Sequence, residues 1–438
     1  MRTGALQLAT PLVEALLTEL GFVPRSSRIG ALIRIAANRI RIRLRGYRFE
    51  PIPATTLSRR DVEVVDTLGV LHRELALYDP IATSLTQSRF VRAAVRMGEP
   101  VRVVQALCYE ALFAAFLGRA ATAERLLNRV RVLALRLDHP QALASRHIAE
   151  AGCALLLGRV NEVLAAAYQG HELLVSHCPG THWETYQLAT FRYGAMLFCG
   201  SIRALCEEAY GLSAVASERN DRFLQGVLLL AMCTRSLAED QPQEAVRLAR
   251  AFLAQQDSSS YTIFTYFASL RVVDALLYTG DVDEAIDFYR RARPRLRQSA
   301  FYRGRQVWLS DHWVCARLAL CAHVQRPEAG LLRAASRAVR VLEGRPGLDA
   351  DVWAACTRAA LERQRGRNEV AIAVLSAMLA GCETAGLLPY ASYARYGLGA
   401  LVSGPKGRGF REQALQDLQA DGVRNPQGWI GTYVPGFD

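Results

Sequence analysis

Between Asp287 and Asp311 the chain carries Arg290, Arg291, Arg293, Arg295, Arg297, Arg303 and Arg305 and no acidic residue. Phe288, Tyr289, Phe301, Tyr302, Trp308 and Trp313 lie among them. Guanidinium groups grip phosphate and carboxylate through paired N–H donors, and planar rings stack on bases and peptide groups. One reading is a groove for an anion, a peptide or a nucleic acid, in which Arg291, Arg295, Arg303, Arg305, Trp308 and His312 meet the ligand. The other is a solvated helix face above a core of aromatic rings. No zinc finger or RNA-binding strand motif accompanies the cluster. The stretch from Arg34 to Arg48 poses a similar choice, between a basic face for acidic partners or phosphate and ordinary solubility.

Arg271 and Asp274 stand three residues apart in the otherwise apolar run SLRVVDALLY, Ser269 to Tyr278. An ion pair along one helix is the ordinary expectation for that spacing. A charge in such a run must find a partner, so if this helix lines a concave surface, Asp274 and Tyr278 face a ligand. His171, His177, Cys178 and His182 span a predicted helix end without a second compact ligand pair, and His312, Cys315 and His323 are no better spaced. No metal or cofactor is expected. Lys406 is the only lysine, in GPKGRG, which matches neither a P-loop nor a kinase glycine loop. The nearest string to a kinase catalytic loop is His72-Arg73-Glu74, with no DFG to follow. The chain therefore reads as a non-enzyme.

The elements that position these groups repeat. Aliphatic helices end at Gly118, Gly158, Gly200, Asp240, Gly280, Arg326 and Gly366, in steps of 40, 42, 40, 40, 46 and 40 residues by subtraction. Glycine tolerates the left-handed backbone that closes a helix. Asp281 or Ser201 then serves to cap the next helix, and Glu284 or Glu162 meets its positive end. Ala245, Ala285 and Ala329 allow two helices to approach, while Tyr289 and Ala292 continue one face. The expectation is an all-α, right-handed superhelical solenoid of tetratricopeptide-like hairpins with a period of about 40 residues. Residues 1–98 form an N-terminal helical region, 99–387 the hairpin repeats, and 388–438 a capping hairpin, interrupted by SGPKGRG, with a tail.

Locally, residues 5 to 20 read as one apolar helix and a second runs from Pro24 to about Arg45, although RIRIRLRG, Arg39 to Gly46, also alternates as a short strand would. Tyr47 to Leu57 is a loop, followed by helices at about 58 to 77 and from Pro80 to Met97. Pro294 is expected to close or kink its helix. The tail from Gly422 is too rich in glycine and proline for a helix, with Trp429, Tyr433 and Phe437 pinning it to the last repeat.

Hydrophobic residues make up 51% of the 438, enough for a continuous core between hairpins. No stretch has the roughly 18 apolar residues of a membrane span, and the N-terminus does not read as a signal peptide, so the expectation is a cytoplasmic protein without a membrane partner. The ten cysteines include no CxxC pair and sit mostly among aliphatic residues, as reduced, structural thiols do. The net charge of +12 is almost entirely arginine. It reflects either GC-rich codon usage or selection for guanidinium chemistry.

The turn at Gly280, Asp283-Glu284-Ala285, Tyr289 and Ala292 resembles the second half of a tetratricopeptide repeat. The period exceeds 34, and Val273 stands where a small residue is expected. Across most of the chain, RIRLRGYRF (Arg41 to Phe49), LALYDP (Leu75 to Pro80), RFVRAAVRMGEPVRVVQALCYEA (Arg89 to Ala111), THWETYQLATF (Thr181 to Phe191) and the ending GVRNPQGWIGTYVPGF resemble the C-terminal helical region of large bacterial serine/threonine protein kinases. Trp429 and Tyr433 stand where that family usually has methionines. The resemblance implies a regulatory or sensor half without catalytic residues, as a separate product or as part of a longer kinase. Its implied work is to bind a protein or peptide segment, with a kinase or ATPase module as the partner it regulates. An anionic ligand or nucleic acid bound by the arginines is the alternative.

Overall fold

The computed structural model describes residues 11, 15–19, 21, 27–76, 78–256 and 261–437. Most of the expected first helix, and the polar break at residues 257–260, lie outside them. Among the described residues the chain is all helical, without a strand. Three helices, Arg28–Arg45, Arg59–Leu75 and Pro80–Met97, lead in. The arginine-rich alternation near residue 40 is thus helical to Arg45, where Gly46 closes the helix at φ 70°. Hairpins follow in sequence order. Their inner helices are Pro100–Phe116, Pro140–Leu156, His182–Cys199, Arg222–Ala238, Ile263–Thr279, Arg305–Gln325, Leu348–Gln364 and Leu388–Leu401. Their outer helices are Ala120–Leu137, Val163–His177, Ile202–Glu218, Pro242–Ala254, Val282–Gln298, Ala329–Glu343, Asn368–Ala385 and Gly404–Ala420.

The division into inner and outer rings follows from burial. Twelve of the 17 residues of Ile263–Thr279 are buried, against four of 17 in Val282–Gln298, because this inner helix packs on both flanking outer helices, on the inner helix before it and on the C-terminal helix Pro426–Tyr433, whereas the outer helix packs mainly on its chain neighbours. Five of the predicted glycine turns, at Gly118, Gly158, Gly200, Gly280 and Gly366, have φ between 71° and 79°. Asp240 takes the same left-handed conformation at φ 59°. Arg326 does not, at φ −139°: the inner helix before it runs 21 residues against the 17 of Ile263–Thr279, which supplies four of the six extra residues in the 46-residue step.

Several local expectations are corrected. Asp281 and Ser201 make no side-chain cap; the turn satisfies itself through backbone, as where Asp281 N donates to Leu276 O at 2.9 Å. Side-chain caps appear instead where inner helices begin, at Glu99, Asp221 and Thr262. Ala245 and Ala285 are fully buried, but Ala329 is exposed at a helix start. The Val282–Gln298 helix continues past Pro294, whose exposed position lets water serve the Arg290 carbonyl that proline cannot bond. SGPKGRG opens an unbroken helix from Gly404. The tail contains a helix, Pro426–Tyr433, with proline in its first turn and an Asn425 side chain accepting from Gly428 N at 3.1 Å. Tertiary burial overrides its composition there.

The rows of helices wind back on themselves. Gly118 lies against Arg305, Gly158 against Asp349 and Gly200 against Leu388, pairs 187, 191 and 188 residues apart by subtraction. One circuit therefore takes between four and five hairpins, and successive turns touch. Leu348 N donates to Gly158 O at 2.8 Å, Ile202 N to Asp421 at 3.1 Å, and Arg424 N to Ala238 O at 2.7 Å. All ten cysteines are free thiols, and among the described residues no helix is long and apolar enough to cross a membrane.

Candidate functional site

The axis of the superhelix, where a repeat protein ordinarily binds, has two contrasting contents. In the C-terminal turn it is packed with aromatic rings. Trp313 stacks on Trp353 at 4.7 Å and on Tyr433 at 5.9 Å, with interplanar angles of 10° and 9°. Tyr433 continues the stack onto Tyr393 at 5.5 Å, and Phe198 from the preceding turn lies against Tyr390 at 5.4 Å. Two polar tips are satisfied, Trp429 Nε1 donating to Tyr393 at 2.8 Å and Trp353 Nε1 to Tyr390 at 3.0 Å, whereas Trp313 Nε1 is buried without a hydrogen-bond partner among the described residues. The helix Pro426–Tyr433 thus lies against the Ile263–Thr279 inner helix and Trp313, deeper than a cap on the last repeat.

Asp274 belongs to this packed axis. It is fully buried and bracketed by Arg271 at 2.6 Å, the expected neighbour along the helix, and by Arg317 at 2.8 Å. These contacts are ion pairs without aligned hydrogen bonds. Arg317, only 1% exposed, also lies 4.1 Å from the Trp313 ring centre and donates to Thr432 O at 3.1 Å. The Ile263–Thr279 helix does line the axis, but the group facing Asp274 is the chain's own arginine. Tyr278 is half-buried and donates to Asp240 at 2.5 Å, which, after burial, raises its phenol above the ordinary value.

The arginine cluster is distributed over separate places. Arg305 is a staple between turns, paired with buried Asp349 at 2.8 Å and donating to Leu156 O at 3.4 Å. Arg293 pairs with buried Asp311, which also accepts from Tyr289 at 2.7 Å and Tyr302 at 2.9 Å. Burial alone would raise the Asp311 carboxyl, but these donors outweigh it and hold the group below its ordinary value. Tyr289, Phe301 and Trp313 are buried, so much of the interleaved aromatic pattern is core. Trp308 and His312 are half-buried and face each other at 4.6 Å, with His312 Nδ1 at 2.8 Å from Trp308 O and Arg345 over the indole at 4.8 Å. Arg291 and Arg295 remain exposed on the outer helix, Arg295 reaching Tyr261 at 5.9 Å. Beside them an open cleft of about 490 Å³, floored by Ile286, Leu318 and Leu331, carries Arg290 and Arg297.

Two features of the N-terminal part had weak sequence signals. The Arg28–Arg45 helix keeps Ile29, Ile33, Ile40 and Leu44 between 59% and 82% exposed, while Arg41, Arg43 and Arg45 stand in water beside them. On this helix it is Ile42 and Ala31 that are buried among the aliphatic side chains. The axis of the N-terminal turn is hollow, with a cavity of about 290 Å³ that includes His72, Gln187 and Arg303 in its lining. Among the described residues no three His, Cys, Asp or Glu side chains come together to hold a metal ion. The chain matches no family model and no curated protein sequence.

Proposed function

We propose that the protein is a non-enzymatic, cytoplasmic helical-repeat scaffold that docks a protein segment and regulates a kinase or ATPase signalling module. The docking surface is the outer face of the Arg28–Arg45 helix. One observation carries this: Ile29, Ile33, Ile40 and Leu44 form an apolar stripe in water, with exposures of 71%, 64%, 59% and 82%. Single exposed aliphatics are normal, but a row of four on one helix is the mark of an interface. Arg41, Arg43, Arg45 and Arg48 beside it favour a partner segment that is apolar and acidic. The packed C-terminal axis supports placing the contact outside the channel rather than within it. The link to a kinase rests on the resemblance of the helical blocks and the ending, and the cytoplasmic assignment on the free thiols.

The test is cross-linking in the native cell followed by mass spectrometry, comparing the wild type with Ile33→Asp/Leu44→Asp. Cross-links from residues 28–48 to one kinase or ATPase partner should disappear in the double variant while its circular dichroism is unchanged. Partner capture that survives both substitutions contradicts this docking face. ATP hydrolysis or autophosphorylation by the purified chain contradicts the non-enzymatic reading.

A further inference from the structure

The hollow in the N-terminal turn is built from parts far apart in sequence. Phe113 and Phe116 come from one inner helix and Phe191 from another, while the short helix Ala300–Arg303 supplies Phe301 from the next turn of the superhelix. That short helix is held in place by two neighbours. Gly304 brings its backbone so close to the Phe116 ring that a side chain there would collide with it. Arg305, the next residue, is fastened to Asp349 and to the Leu156 carbonyl. The volume of about 290 Å³ is close to the lower end, roughly 300 Å³, of ordinary small-molecule sites.

Among the described residues, two buried polar atoms on this wall have no hydrogen-bond partner, and one arginine has no ion pair. His72 is 5% exposed, and its Nδ1 makes no hydrogen bond. Burial lowers its pKa to about 3, an effect that an interaction with the Thr83 backbone offsets only in part, so the ring is neutral near pH 7. Gln187 Oε1 is buried and accepts nothing. Arg303 is exposed and, among the described residues, makes no ion pair and is the only charged residue in the lining. A buried acceptor without a donor costs about 1–3 kcal/mol, and an apolar wall gives a cation no other reason to attract a specific neighbour.

We infer that the hollow of the N-terminal turn is a small-molecule site for an apolar organic acid that also carries a hydrogen-bond donor. The rings take the apolar body, Gln187 Oε1 takes the donor, neutral His72 offers a second polar contact in whichever tautomer fits, and Arg303 takes the carboxylate. This site faces inward and is separate from the stripe on the outer face of Arg28–Arg45. Its test does not depend on the docking proposal.

The probe is 6-hydroxy-2-naphthoate, titrated into the purified full chain by fluorescence, with 2-naphthoate and 2-naphthol as analogues lacking one polar group each. Saturable binding of one molecule per chain is expected, about tenfold tighter than either analogue, the scale of one hydrogen bond or one charge contact. Gln187→Leu should abolish the preference over 2-naphthoate, and Arg303→Gln the preference over 2-naphthol. Ala300→Trp, which fills the cavity, should abolish binding. Ser84→Leu fills it from another wall and should do the same, which guards against a folding defect in the first variant. No saturable binding by the wild type, equal affinity for all three compounds, or binding that survives both filling substitutions overturns the proposal.

Discussion

The two turns of the superhelix are built from the same kind of hairpin and differ in what occupies their axis. In the C-terminal turn Trp313, Trp353, Tyr390, Tyr393, Trp429 and Tyr433 form one contiguous set of ring contacts around the Asp274 ion cluster. In the N-terminal turn the corresponding space holds Phe113, Phe116 and Phe191 around a cavity, with His72 and Gln187 incompletely bonded. The repeat therefore sets the tube, and the inward side chains decide whether a stretch of tube is a core or a site. A concave surface inferred from periodicity alone is open only where those side chains leave it open.

The comparison breaks most severely if the packed axis loses its rings. Trp429→Ala combined with Tyr433→Ala should destabilise the C-terminal turn by at least about 3–5 kcal/mol, the cost of emptying one large buried aromatic position. Urea unfolding followed by tryptophan fluorescence should become biphasic, and the N-terminal turn should keep its own transition. Asp274→Ala comes next. It leaves Arg271 and Arg317 charged and without their carboxylate in the core, which costs about 3–5 kcal/mol. Thermal unfolding of this variant should be far lower than that of an exposed control such as Asp283→Ala.

A smaller effect sharpens the account of the hollow turn. The His72 ring stays neutral in the folded protein down to about pH 3, whereas an unfolded histidine takes a proton below about pH 6.5. The unfolded state then binds more protons, so stability is fully present above pH 6.5 and falls as pH drops toward 3, by up to about 1.4 kcal/mol per pH unit. Asp311, with a lowered carboxyl pKa, adds its own loss only below about pH 4, as its folded-state partners are given up. His72→Leu should flatten the stability profile between pH 6.5 and 4 and leave the steeper acid limb, as read from urea midpoints. The smallest effect belongs to Arg291→Gln, at an exposed position of the outer ring, where stability should change by less than about 0.5 kcal/mol.

Much of this fold was legible because each turn is a local problem. Gly280 and Gly366 needed only a left-handed backbone between two apolar runs, and the 17-residue length of Ile263–Thr279 matched the spacing between breaks. The pairing of Arg271 with Asp274 was equally local. What the sequence concealed is long-range. Arg305 pairs with Asp349, 44 residues on at the start of the next inner helix, and reaches the Leu156 carbonyl 149 residues back because the turns touch, so Arg305 read as a ligand contact when it is a staple. Arg317 reaches Asp274 from another inner helix. The tail shows the same limit: glycine and proline at Pro426, Gly428 and Gly431 disfavour a helix in water, but burial of Trp429 and Ile430 against the axis imposes one. Of the residues expected to meet a partner, Arg303 stands at the cavity and Arg291 and Arg295 in solvent, while Asp274 and Arg305 are committed to internal pairs.

Hydrogen exchange of the full chain, resolved to the segment from Pro426 to Phe437, tests the two-turn contrast most directly. If that segment is core of the C-terminal turn, its amides at Ile430 and Val434 should be protected to the same degree as those of the Ile263–Thr279 helix it packs against. Exchange at the rate of a free peptide, with Ile263–Thr279 still protected, would mean that the axis is open along its whole length.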